Sequence, residues 1–174
     1  MTQKINIVLF GIGKTGSALI NKAIKNRKEL MIDSHIDLRF PVITNSSVAF
    51  FEKESQNYSW EANFIQFAMP FRMEDVVEYV HTNKLNNLVA VDATGSPEMV
   101  RQYAGLIRSG FNVLSINEAL AAVHPEFGRE IAITALNRGL SYSYLAIPKG
   151  NKQLAADELF DAILDIADSK KEVA

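Results

Sequence analysis

Apolar and polar positions follow two different periods along this chain. Short apolar runs rich in β-branched residues occur at Ile5–Phe10 (INIVLF), Asp37–Ile43 (DLRFPVI), Leu88–Val91, Phe111–Ser115 and Leu140–Ile147. Runs of this length and composition read as strands. Between them the period lengthens to that of an amphipathic helix. Lys14–Arg27 places Ala18, Leu19, Ala23 and Ile24 on an apolar face, with Lys22, Lys25, Arg27 and Lys28 outside. Met73–Asn83 turns Val76, Val77 and Val80 inward and Glu74, Asp75 and Glu78 outward. Further helices are expected at Glu98–Ser109, with Ser96 as N-cap, Pro97 at the first helical position and Gly110 at the C-terminal end. Pro125–Asn137, ending at Gly139, and Ala155–Ala167, with Leu159, Phe160, Ile163, Leu164 and Ala167 on one side, complete the set. Pro41 cannot donate to a ladder, so its strand is expected to be edge-side or distorted there. Glu52–Asn63 is polar and reads as irregular, anchored by Trp60.

Strands alternating with helices predict an α/β fold: a doubly wound, mainly parallel sheet of the Rossmann type, covered on both faces. The chain reads as one domain over residues 1–174, of which 152–174 form a terminal helix and tail that frays from Asp168. In such sheets ligands sit beyond the C-terminal strand ends. Those ends are Gly11–Gly16, Thr44–Ser47, Asp92–Gly95, Ser115–Glu118 and Ile147–Lys149.

The first end carries the most information. Gly11-Ile12-Gly13-Lys14-Thr15-Gly16 follows a strand at once and opens a helix. This is the order a dinucleotide pyrophosphate requires. Gly11 permits the turn, Gly13 lets backbone approach phosphate, and Gly16 lets the helix pack on the strand. The helix start offers N–H groups and partial positive charge to the anion. Lys14 stands inside the loop and can neutralise a pyrophosphate, but the GxxxxGK[ST] frame of a nucleoside-triphosphatase is absent.

Composition narrows the chemistry. Net charge is −2 without a basic surplus, which argues against a dedicated nucleic-acid or anionic-membrane binder. There are no cysteines, so disulfides, thiolate nucleophiles and Cys-ligated zinc are excluded. His35, His81 and His124 are far apart in sequence, and no metal site is expected from them. No apolar run reaches the length of a membrane span, and the first strand starts too early for a signal peptide, so the cytoplasm is the expected location.

Three stretches carry a family resemblance: Gly11–Gly16 with Ser17-Ala18-Leu19-Ile20; His35-Ile36-Asp37-Leu38-Arg39 running into Thr44-Asn45-Ser46; and Val91-Asp92-Ala93-Thr94 with Gln102-Tyr103-Ala104, Gly110-Phe111-Asn112-Val113 and Asn117. Over residues 4–145 the chain resembles the nucleotide domain of homoserine dehydrogenase, especially as fused behind aspartokinase. The resemblance implies NAD or NADP as cofactor. It implies cofactor contacts from Gly11, Ile12, Gly13, Lys14, Thr15, Gly16, Asn45, Ser46, Asp92, Ala93, Thr94 and Asn117. It further implies an oxidoreductase of amino-acid biosynthesis that interconverts homoserine and aspartate semialdehyde, and a dimer that uses the Leu140–Ala167 region. Two departures bear on activity. The family has lysine after the asparagine, where this chain has Glu118. The family also carries a substrate domain after the nucleotide domain, and no counterpart follows here. No residue is therefore assigned a catalytic role.

The cofactor choice is open in the sequence. Asp37 is spaced like the acid that bonds the NAD ribose, but it falls at the start of its strand. The correct end carries only neutral Thr44, Asn45, Ser46 and Ser47, with no arginine beside them. Asp92 reads as an acceptor for backbone N–H groups at a strand–loop junction in preference to a catalytic carboxylate. Thr94 suits a ribose contact or a turn equally, and Glu118 reads as a solvated charge. Tyr142 and Tyr144 read as packing residues with hydroxyls at the rim. Glu52 and Glu54, like Asp157 and Glu158, show no spacing that forces them into a cleft. The leading expectation is a dinucleotide-binding domain without catalysis as an isolated chain. Its rivals are one subunit of a split dehydrogenase, whose substrate domain comes from another chain, and a non-enzymatic regulatory protein. Self-association is expected from an uncovered final strand and helix and from an edge at Pro41.

Overall fold

The structure, a computed structural model, describes residues 1–53 and 58–173; Glu54 lies outside them. Among the described residues, seven strands form one sheet: β1 (Gln3–Phe10), β2 (Ile36–Thr44), β3 (Val48–Phe51), β4 (Met69–Pro70), β5 (Leu88–Asp92), β6 (Asn112–Ser115) and β7 (Tyr142–Tyr144). Their order is β4-β3-β2-β1-β5-β6-β7. The pairs β1·β2, β1·β5, β5·β6 and β6·β7 are parallel, while β2·β3 and β3·β4 are antiparallel. The doubly wound parallel core is as expected, and the antiparallel edge was not read from the sequence.

The central strand β1 is buried on both faces. Ile5, Ile7 and Leu9 enter one core with α1 (Lys14–Glu29) and α7 (Lys152–Val173). Val8 and Phe10 enter the other, with α3 (Met73–Thr82), α5 (Tyr103–Arg108) and α6 (Pro125–Asn137). The short helices α2 (Trp60–Phe67) and α4 (Pro97–Val100) complete the layers. Trp60 anchors its segment as expected, packing on the first core and donating to Asn21 Oδ1 at 2.9 Å, but it opens a helix rather than an irregular loop.

Several expectations need correction. Pro41 is not at an edge, because β3 and β4 lie outside β2. It is in a distorted position: Asn6 pairs with Arg39 but Val8 with Val42, so one extra residue bulges where the ladder lacks the proline N–H. The final helix is not uncovered; Ala155, Ala156, Leu159, Phe160, Ile163, Ile166 and Ala167 are buried within this chain. The Pro41 edge and the uncovered helix therefore drop out as grounds for self-association, whereas the final strand, β7, does form an edge of the sheet, with Tyr144 39% exposed. Ile24 is 55% exposed, since Ala23 takes the sheet-facing position and the next side chain lies well around the helix. The helix expected over Glu98–Ser109 divides into α4 and α5. Strand β7 shrinks from Leu140–Ile147, because Leu140 closes the end of α6 by donating to Ala135 O and β6 offers partners only for Tyr142–Tyr144.

Asp37 occupies the N-terminal end of β2 and is 3% exposed at its side chain. It accepts from Arg27 Nε at 2.7 Å and Arg39 Nε at 2.8 Å. Burial alone would raise its pKa, but the two guanidinium bonds prevail and hold it below the ordinary carboxylate value. A depressed folded-state pKa contributes stability above the unfolded value of about 3.9, lost as pH falls through the folded value. Asp37→Asn is therefore expected to cost about 1–3 kcal/mol at neutral pH and to flatten the acid limb of stability. Urea midpoints measured between about pH 2 and 6 check this; parallel limbs for the two proteins would contradict it.

Candidate functional site

The loop Gly11–Gly16 leaves β1 and enters α1 at the C-terminal pole of the sheet. Backbone bonds that continue past the strands fix it and its neighbours: Gly11 N to Thr44 O at 2.9 Å, Ala93 N to Phe10 O at 2.8 Å and Ile116 N to Asp92 O at 3.1 Å. Ser17 Oγ donates to Ile12 O at 2.9 Å.

The three glycines of the loop have different causes. Gly11 has φ +96°, and a Cβ there would lie 2.9 Å from Ala93 O. A Cβ on Gly16 would lie 2.0 Å from Gly11 O. Both are required by the protein's own packing. Gly13 is not: its φ is −66°, and a Cβ built on it meets nothing within 4 Å. It is the N-cap of α1, whose first turn has no side-chain cap and no acidic residue. The start of this sixteen-residue helix, without a side-chain cap, adjoins the open space at Gly13.

That space is a groove with a cavity of about 320 Å³ lined by Gly13, Lys14, Thr15, Ala93, Thr94, Gly95, Ile116, Glu118 and Lys152. A smaller adjoining cavity of about 170 Å³ shares Thr15, Ile116, Glu118 and Lys152 and extends to Tyr144 and Lys149. The fold thus brings together Gly13, Lys14 and Thr15 of the glycine loop, the Ala93–Thr94 turn and Glu118. Ile12 packs against the core. Lys152 was missed by the sequence reading, which started the final helical face at Ala155. Its signal was the Pro148-Lys149-Gly150 turn just before it, the usual punctuation ahead of a helix.

Asp92 and Asn117 lie beneath the groove, 1% and 0% exposed. Asp92 Oδ1 accepts from Thr94 N at 2.9 Å and Thr94 Oγ1 at 2.6 Å. Its Oδ2 accepts from Asn117 Nδ2 at 2.9 Å and from the Tyr103 hydroxyl. Because the tyrosine proton goes to the carboxylate, Ser115 Oγ donates to the Tyr103 oxygen, 2.6 Å away, and accepts from Asn117 N at 3.0 Å. Asn117 also donates to Ser96 O at 2.8 Å and accepts from Ala119 N at 3.0 Å, capping the turn 118–122. Burial first, and Asp92 second, hold the Tyr103 pKa far above its ordinary value, so the phenol remains a donor. The expected Asp92 bond to backbone N–H is present, but most of its partners are side chains. These groups position the groove walls; their polar atoms are spent on one another.

At the end of β2, Asn45 Oδ1 accepts from Ser47 N at 2.9 Å and Val48 N at 2.8 Å, folding the hairpin into β3. Ser46 and Ser47 are exposed at its tip. Asp37 sits at the opposite end of β2 with its two arginines, where it cannot serve a ribose at the loop. Among the described residues no cluster of three or more His, Cys, Asp or Glu could hold a metal ion, and no helix is long and apolar enough to cross a membrane.

Fold and groove together define a doubly wound α/β domain with a glycine-loop helix terminus. No protein-family model matches the chain. Sequence relates it to homoserine dehydrogenases: it is 25% identical over 143 residues to the bifunctional aspartokinase/homoserine dehydrogenase of Buchnera aphidicola, covering 82% of this chain and 17% of that protein. The fold agrees. The homoserine dehydrogenase of Thermoplasma acidophilum superposes with a TM-score of 0.62 at 16% identity, over 82% of this chain and 43% of that one. A hyperthermophilic archaeal homoserine dehydrogenase mutant, solved in complex with NADPH, gives 0.59 at 20% identity, over 82% of this chain and 44% of that one. The chain therefore spans less than half the length of these relatives, over their dinucleotide-binding region.

Proposed function

We propose that this chain binds a nicotinamide dinucleotide, NAD or NADP, across the glycine loop. The observation that carries the reading is Gly13: the protein's own packing does not need a glycine there, and the omitted side chain leaves open space at an uncapped helix start. A pyrophosphate in that space would accept from the first-turn N–H groups. Lys14 and Lys152, both lining the groove, would supply countercharge. The exposed hydroxyls of Ser46 and Ser47 are the polar groups available to ribose, while Thr94, engaged by Asp92 and Ser96, shapes the groove wall. The cofactor, when bound, would supply hydride chemistry; the residues described here bind and orient it. Calorimetric titration with NAD, NADH, NADP and NADPH tests the reading, with a saturable heat expected for at least one. No heat and no thermal shift with any of the four at millimolar concentration would refute it.

Hydride transfer from homoserine is not expected of this chain alone. Glu118 places a carboxylate on the groove wall, where it repels the carboxylate of an amino-acid substrate. Holding an alcohol at near-attack distance is worth roughly 7–11 kcal/mol, and the groove residues named above hold a cofactor, not a second ligand opposite it. Glu118→Lys is accordingly expected to leave the chain inactive, since charge alone does not orient a substrate. The assay is cofactor reduction followed optically with excess homoserine. Turnover above a no-enzyme control in either protein would show that this chain completes the substrate site itself.

A further inference from the structure

We propose that the N-terminal pole of the sheet carries a second anion site, for a polyphosphorylated small molecule of nucleotide size, built around Lys4, Lys84 and Lys170. A cavity of about 1150 Å³ opens there, far larger than the groove at the glycine loop. The two lie at opposite ends of β1, an eight-residue strand, so about 20 Å separates them. The volume admits a nucleotide-sized ligand.

The charge of the wall is one-sided. Lys4, Arg39, Lys53, Lys84, Lys170 and Lys171 line it, against Glu52 as the single acid among the described lining residues. The chain as a whole has 18 basic and 20 acidic residues, so this is a local concentration and not a general surplus. Arg39 shares the one carboxylate of Asp37 with Arg27. Lys170 is part-buried and donates to a neutral oxygen, Asn87 Oδ1, at 3.2 Å; burial lowers its pKa. Lys171 donates to Ser34 O at 2.6 Å, with Asp168 at 3.6 Å. Several lysines lining one cavity, with Lys170 part-buried among them, are what a phosphate-bearing anion would compensate.

The wall is also built rather than draped. The turn between α3 and β5 holds Lys84 and Asn87 in left-handed conformations, φ 53° and 51°. Asn87 ties three elements together: its Nδ2 donates to Lys4 O at 2.9 Å in β1, and its Oδ1 accepts from Lys170 in α7. Asn6 Nδ2 adds a bond to Asn86 O at 2.6 Å. One polar atom of the wall is unused. Gln3 Oε1 is buried with no hydrogen-bond partner among the described residues. As an acceptor it does not suit phosphate; it suits a ligand hydroxyl or amine, which points to a phosphorylated molecule that carries such donors.

The test is calorimetry of the chain with ATP and, separately, with inorganic tripolyphosphate, at low salt, in wild type and in Gly13→Val. Both probes are expected to bind in both proteins, and more weakly as salt rises. Lys4→Gln/Lys84→Gln, a change at two exposed positions checked for folding by circular dichroism, should weaken both probes by about tenfold or more. Amide shifts of Gln3, Lys4 and Asn86–Leu88 in a labelled sample locate the site independently of any variant. ATP binding more tightly than tripolyphosphate, with the difference lost in Gln3→Leu, identifies a nucleotide-like ligand; equal affinities identify the polyphosphate as the whole determinant. Absence of heat and of shifts at these amides with both probes would overturn the proposal. So would binding that Gly13→Val abolishes and the lysine variant leaves intact.

Discussion

Gly13→Val is expected to abolish dinucleotide binding while leaving the fold nearly as stable as wild type. The backbone at Gly13 has φ −66° and ψ −161°, which valine adopts without strain, and the space its side chain would fill contains no protein atom within 4 Å of the Cβ. The structural cost is that of a poorer N-cap, about 1 kcal/mol or less. The branched side chain would, however, stand where the pyrophosphate must approach the first turn of α1. Gly16→Ala is the opposite case. Its Cβ would be driven to 2.0 Å from Gly11 O, so β1 and α1 must part or the loop must move, at a cost of several kcal/mol, about 3 or more. The pair separates binding from folding at two glycines of one motif. Thermal unfolding and calorimetry on both variants check it. A Gly13→Val protein that binds cofactor like wild type, or a Gly16→Ala protein of wild-type stability, would show that the loop geometry is not as described.

The motif and the separate roles of its glycines were legible from the fingerprint's pattern, but the contacts that enforce those roles were not. Whether a glycine serves a turn, a close approach or a ligand depends on what stands opposite its missing Cβ, and Ala93 is some eighty residues away in the chain. The alternating strand and helix runs were legible because both periods are local. The β2–β3 hairpin was not: Asn45-Ser46-Ser47 was read as a ligand-facing strand end, although an Asn ahead of two serines and the apolar Val48–Phe51 also spells a turn and a strand. The uncovered final helix was misjudged for a different reason. An amphipathic face shows that something must cover it, and here the sheet and α1 of the same chain do so.

The same limit applies more strongly to the polar sites. Lys152 enters the groove by packing of α7 against the glycine-loop layer, and the basal cavity gathers residues from β1, β2, the α3–β5 turn and the end of α7. Neither has a local spacing. Each cation reads singly as a solvated surface charge, and only their convergence gives them chemistry. Asp92 was more legible, since Asp at a strand–loop junction commonly bonds the backbone two residues on, as it does to Thr94 N here. That bond alone would make it a modest turn residue.

Its other partners make it the most sensitive buried polar position at this pole, and Asp92→Ala is expected to destabilise the protein by about 3–5 kcal/mol. Alanine would strand the Thr94 amide and hydroxyl, the Tyr103 phenol and one Asn117 N–H, in a site that is 1% exposed. Partial rescue by water is limited by that burial. The effect would not stop at stability. Asn117 and Thr94 fix the two turns that carry Glu118 and Gly95 along the groove, so dinucleotide affinity should fall even in molecules that remain folded. Tyr103→Phe provides the calibration: it removes one donor and leaves the others in place, at a cost of about 1 kcal/mol. In the double variant the two costs should fall short of additive, because the stranded phenol is part of the Asp92→Ala penalty. Urea unfolding of the four proteins measures the cycle. Additive costs, or a loss below about 1 kcal/mol for Asp92→Ala, would show that the carboxylate is not the hub that joins the ends of β5 and β6.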